Sequence, residues 1–154
     1  MTDDDVNKLH KAALLATGFW GTEGAGTIPF CRRTKRFLLA KRSAECQQPL
    51  THACWGGAVD PGETPEETAK REKREETGFA GLFTLIELYV FTSGTFKYHN
   101  FISIVDEEFT PVLNWETESA DWYHLDDFPQ PLHFGIQAIL DNAEAMAILR
   151  SLVQ

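Results

Sequence analysis

The stretch from Gly56 to Phe79, GGAVDPGETPEETAKREKREETGF, constrains the fold more than any other part of the chain. Its second half reads as a helix with both ends written in. Thr64 is placed to cap the N-terminus, Pro65 fits the first helical position, where a missing N–H costs nothing, and Glu67 completes a capping box with Thr64. Gly78 supplies a left-handed stop. The spacing predicts a helix over 65–77, a rod about 20 Å long at about 1.5 Å per residue. Within it, Glu66 with Lys70 and Glu67 with Arg71 stand at i,i+4 in the favoured order and read as ordinary surface pairs.

Glu72, Glu75 and Glu76 share one helical face. Like charges three and four residues apart repel, so a helix gains nothing from clustering them, and positive charge is expected there. Oxygen-only ligands projecting from a helix suit Mg²⁺ or Mn²⁺ better than zinc. A solvated acidic face is the alternative for such a string taken alone.

The register of the whole stretch weighs against that alternative. Gly57, five residues, Glu63, seven residues, then Arg71-Glu72, Glu75-Glu76 and Gly78 resemble the Nudix box, the signature of the Nudix hydrolase family, G-x5-E-x7-R-E-U-x-E-E-x-G-U with U a bulky aliphatic residue. All the fixed letters are present. At roughly 6–7 % per letter, such a match arises by chance in roughly one window in 10⁸. The two U positions depart from the pattern, as Lys73 and Phe79. The Lys73 position normally turns towards the sheet, so its ammonium is expected to snorkel out along its stem or to find a carboxylate.

The resemblance implies an α/β protein, a Nudix-like α/β/α sandwich with a mixed sheet. It implies a Mg²⁺- or Mn²⁺-dependent hydrolase that splits the pyrophosphate linkage of a nucleoside diphosphate joined to another group X, as in a nucleoside triphosphate, a nucleotide sugar or a dinucleoside polyphosphate. On the family's pattern Glu72, Glu75 and Glu76 bind metal together with the Gly56 carbonyl. Arg71 would orient a glutamate by a bidentate pair, and Glu63 would brace the site or join in metal binding. A loop acid before a late strand often adds a ligand or a base, and Glu116 and Glu118 are both placed for it. Glu76, Glu72 or one of those loop acids would draw the proton from the attacking water. A catalytically silent Nudix-like nucleotide-binding module is the other reading; its expected mark is a lost box glutamate, and none is lost. Many relatives pair, so a homodimer is among the expectations.

The remaining chain is read in order. At 154 residues and 43 % hydrophobic composition it is long enough for one core and is expected to form a single domain over 1–154, with a short helix or a flexible arm in residues 1–16. Thr17 to Gly26 reads as loop because of its glycines. Thr27–Cys31 and Arg36–Arg42 predict a hairpin around a basic turn, and Arg42, ending LLAKR, resembles the family's basic residue that faces substrate phosphates. The other basic residues between Arg32 and Arg42 read as a solvated turn with strand-edge charges. A strand over 52–59 should deliver Gly56 and Gly57. A second hairpin is predicted from Leu82–Phe91 and Phe96–Asp106, and Tyr98, His99 and Asn100 on it are candidate contacts to a base or ribose. Trp122–Leu125 reads as a short strand, and the stripe Leu132, Ile136, Ile139, Leu140, Ala143, Ala147 as a packing helix.

Charge narrows the partners. A net charge of −9, with a pI near 4.9, repels polyanions and argues against an extended nucleic-acid surface, while a small phosphorylated nucleotide brought in with divalent metal stays compatible. No run approaches the apolar length of a membrane span, and the acidic start Met1-Thr2-Asp3-Asp4-Asp5 lacks the basic region of a signal peptide. Three cysteines without CxxC spacing read as reduced packing residues. A soluble, cytoplasmic protein is the expectation.

Overall fold

Alternation of small and large apolar residues along Glu23–Cys31 makes one strand the hinge of the architecture. A computed structural model describes residues 23–154, and the expectation for residues 1–16 lies outside them. In this strand, β1, Ile28 and Phe30 face one side of the sheet, and Ala25 the other. Its neighbours are β2 (Phe37–Arg42), β4 (Trp55–Ala58) and β6 (Phe96–Val105). The pairing with β6 is parallel, and those with β2 and β4 are antiparallel. Beyond them lie β3 (His52–Ala53) and β7 (Thr117–Tyr123) against β2, and β5 (Thr84–Ser93) against β6. The sheet is mixed, with the two faces of β1 buried differently.

On one face, Ile28, Phe30, Phe37, Leu39 and Ile102 pack against Ile136 and Ile139 of α2 (Phe134–Leu140) and Ala145 and Leu149 of α3 (Ala143–Val153). On the other, Ala69 of helix α1 (Pro65–Thr77) sits on Ala25 and Phe101. Helices on both faces of a mixed sheet make the expected α/β/α sandwich. Removing apolar area from water drives both contacts, at about 25 cal/mol per Å² buried.

Several predicted boundaries move, each for a tertiary reason. Glu23–Gly26 is strand and not loop: the glycines there admit a neighbour, since a Cβ on Gly26 would lie 2.4 Å from the Tyr98 hydroxyl and 2.7 Å from the Trp55 carbonyl. The predicted strand over 52–59 divides at Cys54, because its halves pair with different partners, β2 and β1. β7 begins at Thr117 so that it can run along the whole of β2, and Leu125 falls in a 3-10 turn. The final stripe is two helices; the Asn142 side chain caps the second by accepting from the Ala145 N–H at 2.9 Å.

Lys73 corrects a further expectation. It neither snorkels nor meets a carboxylate. The residue is fully buried, and among the described residues its Nζ has no hydrogen-bond partner. It lies over aromatic faces, 3.7 Å from the ring centroid of Phe83, 4.3 Å from Phe79 and 5.7 Å from Phe109. Burial pushes its pKa down to about 7.

Candidate active site

The ends of α1 form as its sequence dictates. The Thr64 hydroxyl accepts from the Glu67 N–H at 3.2 Å, Glu67 accepts from the Thr64 N–H at 3.3 Å, and Gly78 stops the helix at φ 72°. This fixes the phase of the helix, and Arg71 then becomes its hub. Its Nε and Nη2 donate to the two oxygens of Glu63 at 2.9 and 3.0 Å, a bidentate pair, and its Nη1 donates to Glu72 at 2.9 Å and Glu75 at 3.2 Å. Glu63 also accepts from the Thr68 hydroxyl at 2.6 Å. Bonds from Arg71 and then Thr68 hold its pKa down at about 2, so it stays ionised as a brace. Arg71, bonded to Glu63, is held protonated more firmly still.

Beyond the brace the charge balance reverses. Glu76 is half-buried and hydrogen-bonded to Glu72. Burial, then that bond and the Glu72 charge, then the charge of Glu116, drive its carboxyl well above the ordinary range, and Arg42 opposes them only partly. Gly57 makes room for Glu72, since a Cβ there would lie 2.6 Å from the Glu72 Oε1. At Gly56 a Cβ would lie 2.3 Å from the Tyr98 hydroxyl and 2.4 Å from the Ala25 carbonyl, so strand β4 can lie this close to β1 only as glycine.

A cavity of about 400 Å³ opens next to this cluster. Gly56, Gly57, Arg42 and Glu116 are in its lining, and Phe91, Phe96, Tyr98 and Phe134 give it aromatic walls. Tyr98 lies across the glycines of β1 and β4, and burial raises its hydroxyl far above the usual phenol range.

The candidates chosen from sequence therefore separate. Arg42, Gly56 and Glu116 line the cavity; Glu72 lies against Gly57 of that lining with Glu76 bonded to it, neither of them in the lining itself, and Glu63 and Arg71 stand beyond. Glu75 is turned outward on Arg71, its side chain 58 % exposed. Of the two loop acids, Glu116 belongs to the cavity, whereas Glu118 pairs with Lys41 at 3.4 Å and is absent from the lining. His99 likewise stays outside: its ring nitrogen is 2.7 Å from Glu23, on the side of β6 opposite Tyr98. The basic run resolves too. Arg32, Arg33 and Arg36 pair with Asp106, Glu107 and Glu108, and Arg42 faces the cavity. Sequence reasoning missed His133, Cys54 and Phe134 in the lining. No motif marks them; they arrive through the bridge between His52 and Leu132.

Among the described residues, no three His, Cys, Asp or Glu side chains already close into a metal cage. The chemistry of the cluster nonetheless fits a hard cation: the donors are oxygens, and burial and neighbouring acids drive the Glu76 carboxyl above the ordinary range, which a bound cation would relieve.

A family model described as the NUDIX domain matches residues 22–143. A Caenorhabditis elegans protein named as a nudix hydrolase is 35 % identical over 72 residues, covering 46 % of this chain and 20 % of its own. A Mycobacterium tuberculosis protein carrying the provisional name 8-oxo-dGTP diphosphatase 3 is 30 % identical over 132 residues, 78 % of this chain and 61 % of its own. The chain thus spans less than two thirds of the length of each of these curated relatives. Among solved structures, the NUDIX domain of Shewanella oneidensis NrtR, complexed with ADP ribose, superposes with a TM-score of 0.67 at 19 % identity, over 90 % of this chain and 98 % of that one. That likeness is one of fold.

Proposed function

The chain belongs to the NUDIX family, and from that premise we propose that it is a hydrolase that cuts the pyrophosphate linkage of a nucleoside diphosphate joined to another group X. Nucleoside triphosphates, nucleotide sugars and dinucleoside polyphosphates all carry such a linkage. The observation that carries this reading is the acid cluster beside the cavity: Glu116 in its lining, Glu72 against the lining residue Gly57, and the half-buried Glu76 bonded to Glu72.

The family usually works with a divalent metal. Glu72 and Glu76, with Glu116 and the Gly56 carbonyl, would hold Mg²⁺ or Mn²⁺ in this reading, and Glu75 would join them only by leaving its pair with Arg71. Bound there, such a cation neutralises phosphate oxygens and acidifies water. The chain's own residues do the rest. Arg71, pinned by Glu63, keeps Glu72 at its angle. The Arg42 Nε is spent on the Gln47 carbonyl at 2.7 Å, which leaves its terminal nitrogens for a phosphate. Glu76, Glu72 or Glu116 would take the proton from the attacking water, Glu118 being paired with Lys41.

ADP ribose, in the Shewanella complex, is a nucleoside diphosphate joined to a second sugar, the class of compound proposed here. The net charge of −9 favours such small substrates over long polyanions. Free Cys31, Cys46 and Cys54 fit a reducing compartment, and we place the protein in the cytoplasm. Among the described residues no helix is long and apolar enough to cross a membrane.

The test is a panel of these compounds incubated with Mg²⁺ or Mn²⁺ and followed by product mass. The proposal expects cleavage within the diphosphate of at least one class. Binding without cleavage across the panel would overturn it in favour of a nucleotide-binding module.

A further inference from the structure

His133 precedes α2, and both its backbone and its ring are fixed. Its N–H donates to the His52 carbonyl at 2.9 Å, and its carbonyl accepts from Ile136 and Gln137 at 3.0 and 3.1 Å. The ring stacks on Phe134, with centroids 4.6 Å apart and planes at 29°, and Phe134 packs edge-on against Phe91 at 5.9 Å. The decisive contact is at Nδ1, which accepts the Gly135 N–H at 3.0 Å. A nitrogen that accepts cannot carry a proton, so the hydrogen of the neutral ring resides on Nε2. Burial and then the Arg42 charge push the imidazole pKa down to about 4, which keeps the ring neutral. The ring's hydrogen bond is at Nδ1, which leaves Nε2–H as its donor, and His133 lines the cavity.

Arg42 and His133 line the same cavity, and the Arg42 charge reaches both Glu76 and His133. A substrate whose phosphates lie at the acid cluster and Arg42 would carry its next group towards His133. The surroundings there are aromatic, which suits a flat ring. A neutral donor in such a wall complements an uncharged acceptor; a phosphate would be matched by a cation.

We propose that His133 determines base specificity, its Nε2–H donating to a ring carbonyl of the nucleobase and selecting keto bases over their amino counterparts. An exocyclic amine in that place sets donor against donor and leaves both without water, at roughly a 10–100-fold loss of affinity. The inference rests on the cavity being the nucleotide site of the reading above, and not on whether the nucleotide is cut.

Every candidate substrate contains a nucleoside diphosphate, so the test uses these as probes. Calorimetry, with Ca²⁺ in place of Mg²⁺, would compare inosine with adenosine diphosphate and uridine with cytidine diphosphate. The wild-type protein should bind the keto member of each pair roughly tenfold tighter or more. His133→Phe, which keeps the stack and removes the donor, should bring each ratio to within about threefold, mainly through weaker binding of the keto member. Wild-type ratios near unity overturn the proposal without any variant. So does a preference that survives in His133→Phe, or failure of all four probes to bind. Turnover on the panel without base preference would sink this inference and leave the hydrolase reading standing. Base preference without turnover would do the reverse.

Discussion

Lys73 and Glu76 lie one turn apart on α1, and burial pushes each towards its neutral form, but their neighbours differ. Lys73 rests among Phe79, Phe83 and Phe109, whose faces offer a cation partial compensation, and no acid approaches it. Glu76 meets the charges of Glu72 and Glu116, and the Arg42 charge opposes them. The helix thus holds an ammonium that would neutralise its acids and keeps it on the other flank. The Lys73 flank is closed by the chain itself. On the Glu76 flank Arg71 is spent on Glu63, Glu72 and Glu75 and Arg42 opposes the Glu76 shift only partly, and that asymmetry is the physical argument behind the proposed cation site. The Arg32, Arg33 and Arg36 clasp gives the scale for a cluster that needs no ligand, since each arginine there has its own acid.

The sharpest way to break the comparison is Glu76→Gln. It should cut turnover roughly 10²–10⁴-fold while the melting temperature holds or rises, because an uncompensated buried acid is removed. Wild-type turnover in the purified variant would remove Glu76 from the site. Arg71→Ala should follow, with a roughly 10–100-fold loss, since Glu63 and Glu72 lose the group that orients them. A loss confined to stability, with kcat unchanged, would reduce Arg71 to a structural tie.

Lys73→Met tests the other flank. Replacing a buried, unpaired ammonium should be neutral or stabilising by up to ~4 kcal/mol, with kcat within about threefold of wild type, because Lys73 faces away from the acids. The pH dependence has a definite sign. The folded pKa, about 7, lies below the ordinary 10.5, so between these values the unfolded chain binds more protons and stability rises with pH. Below pH 7 the penalty is complete, and above 10.5 it is gone. The difference in unfolding free energy between variant and wild type should shrink across that window; a constant difference would mean that Lys73 titrates normally. The smallest effect is expected of Arg33→Ala in the exposed clasp, at most about 1 kcal/mol in denaturant unfolding.

What the sequence disclosed follows the range of the interactions. The caps of α1 and the phase of its acids depend on spacings of a few residues, and they stand where the spacing put them. Gly24 and Gly26 looked like loop because their reason for being glycine, the Tyr98 ring, lies far along the chain. Glu116 and Glu118 could not be separated without the start of β7, which its pairing with β2 determines. Lys73 was read against carboxylates because the phenylalanines that surround it come from beyond the helix. His133 reaches the cavity only through β3, some 80 positions away in sequence.

Mn²⁺ binding tests the asymmetry most directly. The ion is titrated into wild-type protein and into Glu76→Gln, Glu72→Gln and Lys73→Met, and the loss of its free paramagnetic resonance signal is followed at neutral pH. The account predicts tight uptake by wild type and by Lys73→Met, weakened roughly tenfold or more in both glutamine variants. Equal affinity in wild type and Glu76→Gln would show that the cation goes elsewhere, and the site described here would not be where the chemistry occurs.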